Sequence, residues 1–231
     1  MTKPLEAELR AGALTLGLSL SDAQVGQLLG YQELIQKWTK VYNLTAVRDP
    51  AEMLTHHLLD SLAVVLPLQR QLAGMRAAGA FDAPVRLLDV GSGAGLPGAV
   101  IAICCPDVTV HCVDTVAKKA AFIQQVAVSL RLANLRGIHA RVENLTDTYH
   151  VVSSRAFASL LDFVTWSRKC LAEQGVWMAM KGKHPSDEIA ALPAFAKVFH
   201  VEPLVVPGLD AERCILWLRP SVSVFIVGVA D

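Results

Sequence analysis

Apolar residues recur at helical spacing in the first third of the chain. Ser21 and Gln24 form a capping-box pattern, and the apolar residues that follow lie on one helical face: Val25, Leu28, Tyr31, Ile35, Trp38 and Tyr42. An Asp-Pro-Ala-Glu run from Asp49 supplies the N-cap, the first-turn proline and an acid for a second helix. A weaker helical pattern covers Leu5 to Leu18. These patterns predict a helical N-terminal extension over residues 1–80.

From Val85 onward, short apolar runs alternate with helical segments. The runs predict strands at Val85 to Val90, Val108 to Val113, Gly137 to Val142, Val151 to Ser153, Val176 to Met180, Lys197 to Val206 and Arg213 to Leu218. The segments between them predict helices at Pro97 to Cys105, Ala117 to Leu132 and Leu160 to Glu173, and a short helix after Pro185. Such alternation is typical of a mostly parallel sheet covered by helices. We predict an α/β domain over residues 81–231 with an antiparallel hairpin at the sheet edge, packed with the extension into one compact unit.

Composition indicates a globular protein. Of the 231 residues, 53% are hydrophobic and 18% are charged. The longest apolar stretches, Leu96 to Cys105 and Val222 to Val229, fall short of the ~20 residues needed to cross a bilayer. Charged residues at Glu6, Glu8 and Arg10 stand where a signal peptide needs an apolar stretch. We therefore expect a cytoplasmic protein with no membrane partner.

Cysteine content and charge narrow the function classes further. The five cysteines form an odd set without CxxC spacing, which argues against a disulfide framework and a zinc site, so we expect no metal. Lys plus Arg and Asp plus Glu both total 21, so no global positive field attracts a nucleic acid. A local patch of cations is still sufficient for phosphate contacts.

The segment Leu87 to Gly98, LLDVGSGAGLPG, runs from a predicted strand into a glycine-rich turn. Gly91, Gly93 and Gly95 have no side chains, so the backbone there can approach a small ligand. Asp114 ends the next predicted strand, where an acid reaches the ribose hydroxyls of an adenosine ligand. The glycines alone are also explained by a tight connection from strand to helix. Together with the acid, they indicate a nucleoside cofactor.

Asp89, two residues before the first glycine, separates the candidate cofactors. A dinucleotide places its pyrophosphate at this helix N-terminus, where a carboxylate would repel it. S-adenosylmethionine has no phosphate and carries a sulfonium and an ammonium group, so it suits the carboxylate. No Gly-Lys-Ser/Thr follows the glycines, which excludes a P-loop. We predict S-adenosylmethionine, with Asp89 accepting hydrogen bonds from the turn or, through water, from the cationic ligand; an NAD-dependent reductase is the alternative.

The fourth predicted strand ends in VVSSRAFASL, a position that faces the methyl acceptor in methyltransferase folds. Ser153 to Phe157 replace the Asn/Asp-Pro-Pro-aromatic run of DNA amino methyltransferases. Cys104 and Cys105 lie at the far end of a predicted helix, away from the carboxyl edge of the sheet, so cysteine-dependent methylation of pyrimidine carbon 5 is not expected. Arg155 at the mouth of the sheet is a candidate functional cation, with simple pairing to a carboxylate as the alternative.

Several stretches resemble, in the same order, the glucose-inhibited division protein B family, bacterial methyltransferases that modify guanine N7 of small-subunit (16S) ribosomal RNA. They span about Lys37 to Lys183 and read KWTKVYNLTAVRDPAEML, HHLLDSL, LLDVGSGAGLPG, DTVAKKAAF, RVENL, SRAFASL and MKGK. The resemblance implies a Rossmann-like class I S-adenosylmethionine-dependent methyltransferase sheet, mostly parallel with seven strands, and a helical N-terminal extension.

The resemblance also implies site residues. It assigns Gly91, Gly93 and Leu96 to the cofactor pocket, Val142 and Glu143 to the adenine, and Arg155 to the cofactor or the target base. Taken alone, Glu143 is equally typical of a solvated residue at a strand end.

Basic and histidine clusters offer further candidates. RNA phosphate contacts are possible at Lys181, Lys183 and His184 after the fifth predicted strand, and at Lys37, Lys40 and Arg48 in the extension. An ordinary solvated surface is the alternative for both clusters. His56 and His57, beside Asp60, point about 100° apart on a helix, so we expect polar-surface or capping roles rather than a shared metal.

Methylation of guanine N7 needs no general base, because this nitrogen carries a lone pair and no proton. We expect catalysis by alignment, with Arg155 and Lys181 as the positioning cations.

An RNA duplex hides N7 in its deep groove, so the expected partner is an accessible loop of small-subunit rRNA or a partly assembled small ribosomal subunit. We expect a monomer. The alternatives are methylation of a small molecule or a protein, favoured by zero net charge, and a cofactor-binding scaffold without transfer activity.

Two features depart from the family pattern. Tyr149-His150 stands after a short loop where the family usually has Phe-Asp after a longer one, which bears on the pocket wall. The apolar tail Ser221 to Asp231, SVSVFIVGVAD, has no assigned role.

Overall fold

The computed structural model of the chain describes residues 2–81, 84–157 and 159–221. Its first part contains α1, Thr2–Thr15; α2, Asp22–Tyr42; α3, Pro50–Met53; a π-helical segment, Leu54–Leu59; α4, Asp60–Leu62; and α5, Val65–Ala77. The capping box of α2 forms as predicted, because the Ser21 hydroxyl accepts from the Gln24 amide and the Gln24 side chain accepts from the Ser21 amide. The predicted helical N-terminal extension is confirmed.

In the described part of the chain, one sheet contains β1, Val85–Val90; β2, Val108–Asp114; β3, Leu135–His139; β4, Tyr149–Arg155; β5, Leu171–Lys181; β6, Ala196–Leu204; and β7, Arg213–Pro220. Their order is β3-β2-β1-β4-β5-β7-β6. Strands β1 to β5 are parallel, and β7 runs antiparallel between β5 and β6. The predicted mostly parallel sheet of seven strands and its antiparallel edge hairpin are confirmed. Because β1 and β4 are neighbours, the strand order reverses between them, and a crevice opens at their carboxyl ends.

The helices of this part are α6, Gly98–Cys104; α7, Ala117–Ser129; α8, Leu160–Ser167; and α9, Ser186–Ala190, with 3₁₀ turns at Val142–Asn144 and Arg168–Cys170. The helix predicted from Leu160 to Glu173 is wrong in its last part, because Leu171 already pairs with Tyr149 in the sheet. The strand predicted from Gly137 to Val142 begins earlier and ends at His139, so Val142 lies in the turn after it.

Apolar side chains of the sheet point alternately to two faces, and each face has its own core. One core joins the N-terminal helices, α6 and α7 to the sheet, and includes Leu9, Leu28 and Leu87. The other packs α8 against the sheet and includes Leu88 and Phe163. The helical extension therefore shares a core with the sheet. The division of the chain at residue 80 stays a prediction.

None of the described helices has both the length and the apolar character needed to span a membrane. The tail from Val222 to Asp231 lies outside the described residues. Tyr149 and His150 form the first two residues of β4, at the end of the strand opposite to Arg155. Tyr149 bonds His111 and His150 accepts from the Arg86 amide, so this departure from the family pattern lies away from the crevice.

Candidate active site

The glycine-rich turn between β1 and α6 lies at the crevice. Its glycines have φ values of 65° at Gly91, 58° at Gly93 and 89° at Gly95, in the left-handed region that side chains strain. A Cβ at Gly95 would also lie 2.6 Å from Cδ1 of Ile123. The turn thus requires glycine for its path, and it leaves backbone amides at the carboxyl edge of the sheet.

Asp89, near the end of β1, is fully buried beneath the turn. Its Oδ2 accepts from the Gly98 amide at 3.0 Å, and its Oδ1 accepts from the Ser153 hydroxyl at 2.9 Å. Burial raises the pKa of Asp89 to about 6, against the lowering effect of these two hydrogen bonds. The backbone donor is thus the first residue of α6 rather than a glycine of the turn. The contact of Asp89 with a cationic ligand stays a prediction.

Asp114, the last residue of β2, holds the turn from the other side. Its Oδ2 accepts from the Gly93 amide at 3.0 Å, and its Oδ1 accepts from the Val116 amide at 2.9 Å. Lys119 Nζ lies 3.8 Å from Asp114 Oδ2. The carboxylate is therefore oriented by backbone donors at the edge of the crevice.

A first cavity of about 360 Å³ opens at this edge. It is lined by Val90, Gly91, Val113, Asp114, Thr115, Val116, Lys119, Ala140, Arg141, Val142, Glu143, Ala156, Phe157 and Trp166. Four predicted site residues are thus brought together: Gly91, Asp114, Val142 and Glu143. Sequence reasoning missed the aromatic wall of Phe157 and Trp166, whose rings lie 5.7 Å apart. Trp166 carried a usable signal, since a large aromatic on the polar face of a predicted helix is unusual.

The other predicted cofactor residues lie beside this cavity rather than on its wall. Leu96 packs into the core with 4% of its surface exposed, and Asp89 lies beneath the turn. Gly93 shapes the turn through its bond to Asp114. Arg155 belongs to the neighbouring cavity. Their contacts with a cofactor stay predictions.

The second cavity, also about 360 Å³, is lined by His56, His57, Asp60, Arg155, Ala156, Met180, Lys181, Gly182 and Arg213. On its wall, the buried Asp60 carboxylate binds two guanidinium groups. Asp60 Oδ2 accepts from Arg155 Nη1 at 2.8 Å, and Asp60 Oδ1 accepts from Arg213 Nε at 2.7 Å. Arg155 Nη1 also donates to the His56 carbonyl at 3.1 Å. The carboxylate pairing raised as the alternative for Arg155 is therefore present, and it holds the side chain at the cavity wall.

His56 and His57 of this cavity belong to the π-helical segment, and Asp60 follows directly after it as the first residue of α4. The expected polar-surface role is wrong for His57, which is buried because the segment packs against the core, and its Nε2 lies 2.8 Å from Thr45 Oγ1. Burial lowers the pKa of His57. Extra turns of this kind are common at functional sites. Sequence reasoning missed Asp60 and Arg213 as site residues, and the only local signal was the acid that follows the histidine pair.

Lys181 is the last residue of β5 rather than the start of a basic loop, because it pairs with Cys214 of β7. Its Nζ bonds both oxygens of Glu188, at 3.0 and 2.8 Å. Glu188 Oε2 also accepts from the Leu160 amide at 2.7 Å. The Lys181 ammonium group thus lines the second cavity while it is paired with Glu188. Its catalytic role stays a prediction.

Ala156 lines both cavities and joins them. Its φ of 55° is left-handed, which is strained for a residue with a Cβ. This backbone turn directs Arg155 to one cavity and Phe157 to the other. Two binding spaces therefore meet at the carboxyl end of β4.

Known proteins match this chain over most of its length. Residues 24–216 match the GidB family model, described as rRNA small subunit methyltransferase G. Ribosomal RNA small subunit methyltransferase G of Paracidovorax citrulli (strain AAC00-1) is 69% identical over 219 residues, 94% of this chain and 90% of that protein. The protein of the same name from Albidiferax ferrireducens is 67% identical over 221 residues, 95% of this chain and 99% of that protein.

Among solved structures, TrmN from Thermus thermophilus superposes with a TM-score of 0.52 at 17% sequence identity. The match covers 70% of this chain and 49% of that one, so the chain spans about half the length of that structure. At this identity the likeness concerns the fold alone.

Proposed function

Because the chain belongs to the rRNA small subunit methyltransferase G family, we propose that it transfers a methyl group from S-adenosylmethionine to N7 of a guanine in 16S ribosomal RNA. This membership confirms the resemblance to the glucose-inhibited division protein B family. The observation that carries the proposal is the meeting of two cavities at Ala156, because methyl transfer needs a donor and an acceptor in contact.

The first cavity fits S-adenosylmethionine. Asp114 and Glu143 offer carboxylates for ribose and adenine, and Val142 offers an apolar contact for the base. Asp89 lies fully buried below the glycine turn, where its carboxylate would repel a phosphate group. With its pKa of about 6, Asp89 is ionised near neutral pH in a buried position, and a cationic ligand nearby would stabilise that charge.

We assign the second cavity to the acceptor base. Arg155 and Arg213 donate hydrogen bonds, and guanine presents O6 as an acceptor beside N7, where adenine presents an amino donor. A guanidinium directed at this position therefore favours guanine over adenine. Lys181, held in place by its ion pair with Glu188, adds a further hydrogen-bond donor to the same wall.

S-adenosylmethionine, when bound, supplies an electrophilic methyl group on a positively charged sulfur. The chain has to align the acceptor with that methyl group, and the guanine lone pair needs no proton removed. Nucleophilic cysteine is not part of this chemistry. Burial raises the pKa of Cys104 to about 12 and that of Cys105 to about 11, so both thiols stay protonated near neutral pH.

The finer partner assignment follows from the same chemistry. A base whose N7 must be accessible favours an rRNA loop or a partly assembled small subunit as the partner. A cytoplasmic location is part of the same proposal. The monomeric state stays a prediction.

Methyl transfer tests the proposal. Purified protein and S-adenosylmethionine labelled in its methyl group are incubated with small subunits that lack the modification, and with fully modified subunits as the control. We expect label in 16S rRNA of the first sample alone, and strand cleavage at 7-methylguanine after borohydride and aniline treatment. Label in a metabolite or a ribosomal protein, with none in the rRNA, contradicts the proposal.

A further inference from the structure

Cations and exposed apolar side chains gather where the C-terminal end of α2 meets the N-terminal end of α7. Lys118 Nζ lies 4.9 Å from the centre of the Tyr42 ring, a cation–π contact. The Tyr42 ring lies 5.1 Å from Trp38, and Trp38 lies 5.3 Å from Phe122 of α7. The aromatic stack therefore fixes the two helix ends together and holds the lysine at their outer surface.

The charges at this place are not neutralised by ion pairs. Lys37, Lys40 and Lys118 form no ion pair with any residue that the structure describes. Arg48 is fixed by hydrogen bonds to the Thr39 carbonyl and the Asn43 side chain, neither of which carries a charge. The chain as a whole is neutral, so this group is a local concentration of positive charge.

In the described part of the chain, the acids nearest in sequence form no ion pair with these cations. Asp49 is committed to capping α3, where it accepts from the Ala51 and Glu52 amides. Glu33, one turn before Lys37, is the nearest acid along α2.

Apolar groups at the same place are exposed to an unusual degree. Val41 is 69% exposed, and Tyr42 and Val116 are each 44% exposed. Of these three, Tyr42 is the aromatic one, and an exposed ring among unpaired cations is an arrangement by which proteins bind single-stranded nucleic acid, with a base on the ring and phosphates on the cations. A protein partner would instead favour an apolar centre with few charges.

The patch borders both cavities of the candidate active site. Val116 and Lys119, which flank Lys118 in sequence, line the first cavity. Thr45, in the loop after α2, bonds His57 on the wall of the second cavity. A strand of RNA that delivers a base to the second cavity would therefore pass along this rim.

We propose that the surface formed by Lys37, Lys40, Tyr42, Arg48 and Lys118, the α2–α7 surface, binds the single-stranded RNA next to the target guanine. The cations bind its phosphates, and the Tyr42 ring stacks on a base. This inference rests on the proposed function, because it takes rRNA as the substrate.

The test compares binding of unmodified 16S rRNA, transcribed in vitro, across a range of salt concentrations. We expect the double variant Lys40→Gln/Lys118→Gln to bind about tenfold more weakly, with the slope of log affinity against log salt flattened by about 1.4. Tyr42→Ala weakens binding by about tenfold with little change of slope, and Tyr42→Phe binds like the wild type. Lys169→Gln is the matched control, because Lys169 is an exposed lysine in the turn before β5, at the opposite edge of the sheet. It leaves affinity and slope unchanged.

Affinity for S-adenosylmethionine and the thermal melting temperature are measured for every variant. The affinity should match the wild type throughout, and the melting temperature should match it in every variant except Tyr42→Ala, which loses the ring contact with Trp38. Wild-type affinity and slope in the double variant would overturn the inference. So would a double variant that methylates naked 16S rRNA normally but fails on assembled subunits, because the surface would then contact a ribosomal protein. If the wild type transfers no methyl to rRNA, yet the double variant shows the expected loss of RNA affinity, the proposed function fails and the binding surface stands.

Discussion

At the residue scale, Asp60 balances the charge of the second cavity. Both of its oxygens accept from guanidinium groups, so Asp60→Asn would turn an amide NH₂ toward one arginine and leave both arginines without their buried counter-charge. We expect kcat/KM for methyl transfer to the small subunit to fall by about a hundredfold, with the Kd for S-adenosylmethionine within about twofold of wild type. Transfer kinetics and calorimetric titration measure the two quantities.

The control for this variant is Asp107→Asn. Asp107 is an exposed acid before β2, at the edge of the sheet opposite to the cavities. It should leave both quantities unchanged. A loss of cofactor affinity in Asp60→Asn as large as its loss of transfer would show a general structural defect and contradict a specific role at the acceptor cavity.

Asp89 makes the stability of the folded chain depend on pH. Its pKa is about 6 in the folded chain against 3.8 for an ordinary aspartate, so between these values the folded state holds a proton that the unfolded state has lost. The free energy of unfolding due to this group therefore falls as pH rises from about 4 to about 6 and is constant above. We expect the wild type to lose up to about 3 kcal/mol relative to Asp89→Asn across this window. Urea denaturation of both proteins at a series of pH values measures the difference, and parallel curves would contradict it.

Single residues also show what sequence can and cannot reveal about the site. Asp114 was predictable because an acid at the end of the second strand follows from parallel-sheet geometry, and it lies on the cavity wall. The pairing of Asp60 with Arg155 and Arg213 was not predictable. These partners are 95 and 153 residues away along the chain, and only the strand order brings them together.

At the scale of elements, the packing of α6 against the sheet depends on Gly98. A Cβ at this position would lie 2.5 Å from Cys112 Sγ and 2.9 Å from Asp89 Oδ2, both of them fully buried. We expect Gly98→Ala to lower the free energy of unfolding by about 1–3 kcal/mol, because the helix must move away from β1 and β2. Thermal or urea unfolding measures the loss.

Gly26→Ala is the matched substitution within a helix. A Cβ at Gly26 of α2 meets nothing within 4 Å, so alanine adds helix propensity without a clash. It should raise the free energy of unfolding by up to about 1 kcal/mol. Equal effects of the two substitutions would contradict the packing argument.

Sequence predicts an element correctly where the local signals indicate the same structure. In α2 the helical spacing of apolar residues and the capping box agree, and β1 is a short apolar run. They were wrong where pairing overrides the local pattern. The apolar residues after α8 are still spaced as in a helix, yet Leu171 pairs with Tyr149 of β4 and begins β5. At β3, Gly137 packs so closely on α7 that a Cβ would lie 2.4 Å from the Ala120 carbonyl, a tertiary constraint that the sequence does not display.

At the scale of the whole molecule, the N-terminal helices are bonded directly to the cofactor turn and share a core with the sheet. Tyr31 of α2 is fully buried, and its hydroxyl donates to the Ala94 carbonyl of the glycine turn at 2.6 Å. The N-terminal helices and the sheet also share one continuous core. Removing the hydrogen bond between Tyr31 and Ala94 should therefore lower the affinity of the first cavity for the cofactor.

We expect Tyr31→Phe, which removes only the hydroxyl, to cost about 1 kcal/mol of stability and to weaken S-adenosylmethionine binding several-fold, since the turn loses a fixed hydrogen bond. Tyr149→Phe is the control, because it removes an equally buried hydroxyl that bonds His111 away from the cavity. It should cost similar stability without changing cofactor affinity. Calorimetric titration and thermal melting separate the two effects. Equal affinities in both variants would show that the helical extension stabilises the fold without positioning the cofactor turn.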